Sequence, residues 1–359
     1  ETLLETMAVL FGKVRGGLAI SVVIVGALLA ASTGIVGATV VTMGLISLPT
    51  MLKNGYQPEL STGTIAASGT LGQIIPPSIV LVLLASTISS SSTTGGVDVG
   101  TLFSAALIPG VLLVACYIIY ILIVAHIYKD VAPPISQEII DEYKKEDFLK
   151  KVILAFVLPL LLILSVLGSI FAGIASPTEA AAVGALGATI LAIGQRKFSF
   201  QVLKEVMQQT THLTVMVFWI LLGATTFSLV FRTMGGDTYL VELIQNANLS
   251  PYAFLFIVML VIFIAGFFID FIEIIFILVP VVTPIFEALG MDLLWIGILI
   301  AMNLQTSFLT PPFGFSLFYL KGVAPPSITT QQIYRGIIPF IIIQIVFLAL
   351  LVLFPNLFF

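Results

Sequence analysis

Apolar runs about as long as a lipid bilayer is thick recur along nearly the whole chain. A helix needs roughly 20 mostly apolar residues to cross the hydrocarbon core. Runs suited to this lie at 59–87, 101–128, 152–173, 178–195, 211–232, 292–320 and 336–358. With 59% hydrophobic and 9% charged residues, the chain cannot cover the surface of a water-soluble protein. The sequence therefore predicts an all-α polytopic membrane protein with the lipid bilayer as its surroundings.

Two further apolar stretches, 16–52 and 252–288, are interrupted near their centres. The first contains Ser32-Thr33-Gly34-Ile35-Val36-Gly37, and the second contains Gly266-Phe267-Phe268-Ile269-Asp270. Each stretch can form either one long span or a re-entrant hairpin of two half-helices. The two alternatives predict opposite sides of the membrane for everything that follows in the chain.

The positions of Lys and Arg distinguish these alternatives, because loops on the cytoplasmic side carry an excess of cations. If both stretches are hairpins that return to their own side, nearly all cations lie on one face: Lys13, Arg15, Lys53, Lys129, Lys144, Lys145, Lys150, Lys151, Arg196, Lys197, Lys204, Lys321 and Arg335. Arg232 alone lies opposite, and the loops 88–100 and 235–250 on its side contain no Lys or Arg. We therefore predict two re-entrant helical hairpins.

The same order of elements occurs twice. A shift of 235 positions brings the turn residues and both Pro-Pro pairs into register: Pro49 with Pro284, Gly55 with Gly290, and Pro76-Pro77 with Pro311-Pro312. Residue identity is low, so coincidence among proline-rich membrane helices is the alternative interpretation. Because the two hairpins open to opposite faces, we predict an inverted-topology repeat with two Pro-broken spans, which is typical of secondary transporters.

We predict four segments from this organisation. The first repeat occupies 1–100, and scaffold-type spans occupy 101–250 with a charged cytoplasmic linker at 129–151. The second repeat occupies 251–321, and a C-terminal span follows at 322–359. The span before the second hairpin has no counterpart before the first, so we expect the chain to be incomplete at its N-terminus.

Four interruptions within the membrane form the candidate site: the two hairpin tips and the two spans broken before Pro-Pro. Unwound backbone at this depth persists only where protein buries it or where it lines a wet cavity. Its free carbonyl groups suit Na⁺, and free helix N-termini suit a carboxylate. Hydroxyl and amide side chains surround these breaks: Ser32, Thr33, Thr39, Ser68, Thr70, Gln73, Ser78, Asn303, Gln305, Thr306, Ser307 and Thr310. Any one of them can instead join helices, but the cluster favours function.

Acidic residues offer a second group of candidates. Asp270 and Glu273 have the spacing of a helix cap, and a capping carboxylate at a hairpin tip can also bind a cation. Glu179 belongs to a capping box that begins at Ser176. The single cysteine, Cys116, excludes a disulfide framework. No nucleophile elbow, phosphate-binding loop or zinc motif is present, so we predict neither an enzyme, a covalent cofactor nor a nucleic-acid partner.

Several motifs together resemble the large membrane subunit of the TRAP (tripartite ATP-independent periplasmic) transporters, the DctM-like permeases. They are Gly12-Lys13-Val14-Arg15-Gly16-Gly17, Gly63 through Pro76-Pro77-Ser78, Ser176-Pro177-Thr178-Glu179-Ala180-Ala181-Ala182, and Asn303 through Thr310-Pro311-Pro312-Phe313-Gly314. The resemblance covers essentially the whole chain. It implies a sodium-coupled importer of organic acids such as C4-dicarboxylates in a bacterial inner membrane. It also implies an elevator mechanism, a small four-helix membrane subunit and a periplasmic substrate-binding protein.

The resemblance also implies where the ions bind. Na⁺ ligands are expected around the two tips and on the adjacent broken spans: Ser32, Thr33, Gly34, Gly37 and Thr70 in the first copy, and Phe268, Asp270, Asn303, Thr306 and Thr310 in the second. The remaining polar residues near the breaks are substrate candidates: Ser68, Gln73, Ser78, Gln305 and Ser307. The family's first hairpin often has Ser-Gly-Ser at its tip, whereas this chain has Ser32-Thr33-Gly34.

Two other functions are compatible with parts of this pattern. A stand-alone sodium/dicarboxylate symporter of related architecture needs no binding protein. A channel or membrane enzyme predicts uncoupled conductance or substrate turnover and no sodium dependence. Internal symmetry favours a transporter, because neither channels nor membrane enzymes require it.

Overall fold

A computed structural model describes residues 2–93, 95–135, 148, 152–236, 238–240, 242 and 249–358. Regular structure in these residues is entirely helical. The helices are α1 Thr2–Phe11, α2 Gly17–Thr33, α3 Val36–Lys53, α4 Pro58–Thr70, α5 Ile79–Ser91, α6 Val99–Ile127, α7 Leu158–Phe171, α8 Pro177–Gly194, α9 Phe200–Thr233, α10 Pro251–Ala265, α11 Phe271–Ala288, α12 Leu293–Leu309, α13 Phe315–Val323 and α14 Thr330–Leu353. A π-helical turn, Ile153–Val157, precedes α7.

Six of these helices, α3, α6, α8, α9, α11 and α14, are long and apolar enough to cross a membrane. The shorter apolar helices, such as α2, α5, α10 and α12, lie beside the predicted interruptions. The predicted all-α polytopic fold is confirmed.

The first hairpin breaks at the predicted position. Helix α2 ends where Gly34 adopts a left-handed conformation (φ 63°) and donates its N–H to the Ala30 carbonyl at 2.8 Å. Glycine suits this position because a side chain would be strained at positive φ. Ile35 is extended, and α3 begins at Val36. The two arms contact each other, and both contact α4.

The second hairpin turns between Ala265 and Phe271. The Asp270 carboxylate accepts a hydrogen bond from the Phe271 N–H at 2.7 Å, so it caps the start of α11 as predicted. Helices α10 and α11 contact each other, and both contact α12.

Both predicted broken spans are also interrupted. Helix α4 ends at Thr70, a 3₁₀ turn covers Leu71–Gln73, and α5 begins at Ile79 with Ser78 as its N-cap. Helix α12 ends at Leu309, and α13 begins at Phe315 after the second Pro-Pro pair. Proline cannot donate a backbone hydrogen bond within a helix, which accounts for both breaks.

In each half, the second arm of the hairpin packs against the helix that follows the break in the other half. The second arm of the first hairpin, α3, packs on α13, which follows the second break. Correspondingly, α11 packs on α5, which follows the first break. The elements therefore form one interlocked unit, with α12 buried along its length from Trp295 to Leu309. The boundaries proposed for the two repeats stay a prediction.

Helices α7, α8 and α9 are much less buried. Each has a single buried residue, Leu167, Ala180 and Ala224 respectively. The sequence suggests a short interfacial helix at 198–210 followed by a separate span, and this prediction is wrong. Residues 200–233 form one helix of 34 residues, because no proline or glycine interrupts its first six turns. Residues 237–249 are also predicted to form a short interfacial helix, but most of them, and most of the predicted linker 129–151, lie outside the described residues.

Candidate functional site

The first hairpin tip lies against the break of the first span. A Cβ added to Gly34 would collide with the Ile79 side chain at the start of α5, and one added to Gly72 would collide with Ala30. The Thr33 and Thr39 hydroxyls are hydrogen-bonded across the tip at 2.8 Å. The side chain of Ser32 lies outside the described part of the structure.

The predicted polar residues of α4 and its break, Ser68, Thr70, Gln73 and Ser78, are buried. Ser68 donates to the Ile65 carbonyl at 3.0 Å, and Thr70 donates to the Ala67 carbonyl at 2.9 Å. Ser78 donates to the Gln73 carbonyl at 2.8 Å. Both amide atoms of Gln73 are buried without a partner among the described residues. An unpartnered buried amide is expensive, so this break has unused hydrogen-bonding capacity.

The second tip lies against the second break in the same way. A Cβ added to Gly266 would collide with Ser307, near the end of α12. The Phe268 ring is 64% exposed and lies 5.3 Å from the Phe313 ring, centroid to centroid. Asp270 lies one helical turn before Glu273, whose Oε2 is buried without a partner among the described residues.

The predicted polar residues of α12 form two groups. Asn303 donates to the Met259 carbonyl of α10 at 2.7 Å, joining the broken span to the hairpin. Thr306, Ser307 and Thr310 each donate to a carbonyl of their own helix at 2.8 Å. Gln305 is fully buried, and its amide atoms have no partner among the described residues.

The two tips are connected by a row of aromatic rings. Phe271 at the start of α11 contacts Phe308, which contacts Phe315, which contacts Tyr319, at centroid distances of 6.1, 5.2 and 6.5 Å. A Cβ added to Gly37 of the first hairpin would lie 2.9 Å from the Tyr319 ring. This row of rings therefore links the start of α11 to Gly37 of the first hairpin. Gln305 contacts none of the other predicted polar side chains by a hydrogen bond.

Two helix N-termini in this region lack a side-chain cap. Ile35 precedes α3 and Gly314 precedes α13, and neither provides a capping hydrogen bond. These two helices pack against each other. Uncapped N–H groups at a helix N-terminus favour an anion. Carbonyl groups, which bind hard cations, also lie at the ends of α2 and α10, where those of Ala30, Ile262, Ile264 and Ala265 already accept backbone hydrogen bonds.

The sequence does not single out Tyr319, although its ring links the hairpins. Its only signal is its position one turn into the helix that follows the second Pro-Pro break. An aromatic residue in an apolar helix is indistinguishable from ordinary packing, so pattern alone could not identify it.

This arrangement defines a polytopic membrane protein built around two helical hairpins and two broken helices. Comparison with known proteins extends the description. Residues 1–357 match the family model of the tripartite ATP-independent periplasmic transporter, DctM component. The chain belongs to this family and is thus the large permease subunit of a TRAP transporter and a multi-pass inner-membrane protein.

Relatives named for different substrates are similarly related to this chain. The C4-dicarboxylate TRAP transporter large permease protein DctM of Pseudomonas aeruginosa is 33% identical over 96% of this chain and 77% of its own length. The ectoine TRAP transporter large permease protein TeaC of Halomonas elongata is 30% identical, over 99% and 79%. The sialic acid TRAP transporter large permease protein SiaM of Vibrio cholerae is 28% identical, over 97% and 78%. These relatives are named as transporter permease subunits, which is a non-enzymatic role.

Proposed function

We propose that this chain couples the import of small organic acids, C4-dicarboxylates in particular, to the entry of Na⁺. The observation that carries the proposal is that each hairpin tip packs against a Pro-Pro break, with a row of aromatic rings linking the two pairs. Such breaks present free carbonyls and free helix N-termini together. A site with both can hold a cation and an anion at the same time.

The oxygen atoms near the tips support the Na⁺ half of the proposal. Three kinds of oxygen ligand lie near the tips: carbonyls at the ends of α2 and α10, the Thr33–Thr39 hydroxyl pair and the Asp270 carboxylate. Hard cations prefer such ligands. We assign the first cation to Ser32, Thr33, Gly34, Gly37 and Thr70, and the second to Phe268, Asp270, Asn303, Thr306 and Thr310.

The uncapped N-termini of α3 and α13 support the anion half. One begins at the first hairpin tip and the other begins after the second Pro-Pro pair, and each presents N–H groups and the positive end of a helix dipole. A dicarboxylate or other organic acid supplies the acceptors that these groups lack. We assign Ser68, Gln73, Ser78, Gln305 and Ser307 to substrate binding, with the unpartnered amides of Gln73 and Gln305 as additional donors.

The contrast in burial supports an elevator motion. The hairpins and broken helices form the interlocked unit, whereas α7, α8 and α9 each bury one residue. We propose that the interlocked unit moves as a body against a scaffold containing these helices. Their exposed apolar faces suit a small membrane subunit as partner, and a periplasmic binding protein delivers the substrate.

Uptake into proteoliposomes tests the proposal. The full-length permease is reconstituted with its small membrane subunit and supplied with radiolabelled succinate and with the binding protein. A Na⁺ gradient should drive uptake, and replacement of Na⁺ by choline at equal ionic strength should abolish it. A panel containing ectoine and sialic acid identifies the substrate. Uptake driven only by a proton gradient contradicts sodium coupling. Full uptake without the binding protein identifies a stand-alone symporter instead.

A further inference from the structure

The half-buried side chain of Arg232 bonds to a neighbouring helix. It lies near the end of α9, and its Nη2 donates to the Pro280 carbonyl of α11 at 3.1 Å. Pro284, four residues further along α11, has no N–H with which to complete the helical hydrogen bond to that carbonyl. The guanidinium therefore supplies the donor that proline removes.

A cleft of about 410 Å³ opens beside this guanidinium between α5, α9 and α11. Hydroxyl-bearing residues line one part of it: Ser86, Thr87, Ser90, Ser91, Thr225 and Ser228. The rest of the wall is largely apolar and includes Phe218 and Phe276. A volume of this size accommodates a small organic ligand.

The cleft contains unused donors. A guanidinium carries several N–H groups in a fixed planar arrangement, and the Pro280 carbonyl is the partner of Arg232 among the described residues. Asp and Glu side chains of the described residues make no ion pair with it. The hydroxyls of Ser86 and Ser228 make no hydrogen bond to other described residues.

We propose that this cleft is a second anion-binding site, in which Arg232, Ser86 and Ser228 hold the oxyanion of a carboxylate or phosphate. Guanidinium groups form strong, directional hydrogen bonds with such oxyanions. Pro280 lies about 13 Å along α11 from its first residue, at about 1.5 Å per residue. Arg232 therefore lies away from the second hairpin tip, and the proposal requires neither Na⁺ nor transport for the cleft to be occupied.

Binding is measured with the full-length permease and its small subunit in phosphatidylcholine nanodiscs. Leu229, which lines the cleft and is 67% exposed, is replaced by Cys in a Cys116→Ala background and tagged with a trifluoromethyl group. Choline buffer keeps the proposed sodium-coupled site unpopulated. Succinate or inorganic phosphate should shift the fluorine NMR signal saturably, whereas the neutral isostere succinamide should not.

Substitution of the guanidinium identifies the binding group. Arg232→Gln should raise the half-saturating concentration about tenfold or more, and Arg232→Lys should raise it less. The matched control Arg335→Gln removes an exposed charge from α14 and should leave the concentration unchanged. If Arg232→Gln fails to fold, the Ser86→Ala/Ser228→Ala double variant should still raise it several-fold.

A parallel experiment in phosphatidylglycerol nanodiscs determines whether the oxyanion comes from a free anion or from a lipid. If only phosphatidylglycerol nanodiscs shift the signal, and Arg232→Gln removes that shift, the ligand is a lipid phosphate bound at the proposed site. The proposal is wrong if neither free anions nor phosphatidylglycerol shift the signal, if succinamide acts as succinate does, or if Arg232→Gln changes nothing.

Discussion

The hydrogen bond from Arg232 to the Pro280 carbonyl predicts that substitutions of Arg232 and Pro284 affect stability in a coupled way, although the two residues are far apart in the chain. Arg232→Gln shortens the donor and removes its charge, so the Pro280 carbonyl loses its partner. Pro284→Ala restores an N–H at the position where a helix donates to that carbonyl. The effect of losing Arg232 should therefore depend on whether residue 284 is proline.

The expected free energies follow from the bond at 3.1 Å. Loss of a hydrogen bond from a charged donor destabilises by roughly 1.5–3 kcal/mol in proteins generally, but interhelical bonds in membranes average about 0.6 and reach about 1.7 kcal/mol. We expect Arg232→Gln to destabilise the protein by about 1–2 kcal/mol. In the Pro284→Ala background the loss should fall below about 0.5 kcal/mol, because the carbonyl is then satisfied within α11.

Equilibrium unfolding in mixed detergent micelles gives the free energy of unfolding for the four proteins of a double-mutant cycle. A coupling energy of about 1 kcal/mol is expected. A second cycle that pairs Arg232→Gln with Pro339→Ala, in the middle of α14, is the control and should be additive. Additivity between Arg232→Gln and Pro284→Ala would refute the role assigned to the guanidinium.

Three further predictions concern the tips and the topology. Asn303→Leu removes the 2.7 Å hydrogen bond to the Met259 carbonyl and a proposed cation ligand. The Na⁺ concentration for half-maximal uptake should therefore rise about tenfold, with folding preserved. An unchanged concentration would show that Asn303 does not belong to the site. Gly37→Ala places a Cβ 2.9 Å from the Tyr319 ring, so uptake should fall while Gly322→Ala, where a Cβ meets nothing, is tolerated. In a Cys116→Ala background, the exposed Thr93→Cys should react with an impermeant thiol reagent from the periplasm and Lys129→Cys should not; the reverse pattern would overturn the predicted sidedness.

The interrupted hairpins and broken helices were predictable because their causes are local. Gly34 allows the left-handed turn, Asp270 caps the next helix, and each Pro-Pro pair removes backbone donors. The sorting of Lys and Arg then distinguishes hairpins from long spans, because cations accumulate on the cytoplasmic side.

The contacts between the two halves were not predictable from the sequence, because they depend on which helix of one half packs against which helix of the other. The reciprocal packing of α3 on α13 and of α11 on α5 joins residues far apart in the chain. Tyr319 and the pairing of Arg232 with Pro280 belong to this class. The continuity of α9 differs from the prediction for another reason. The change from polar to apolar residues at 211 resembles the boundary between an interfacial helix and a span, although no helix-breaking residue lies there.

The proposed cation site at the second tip is tested most directly by equilibrium binding of radioactive sodium to the purified complex. Asp270→Asn keeps an oxygen that can cap α11 but removes the negative charge, and binding should fall about tenfold or more. Asp292→Asn makes the same change at the cap of α12, where Asp292 accepts from the Leu294 N–H at 2.8 Å, and should bind sodium as the unmodified protein does. Equal sodium binding by the Asp270→Asn variant and the unmodified protein would contradict the assignment of a cation to the hairpin tips.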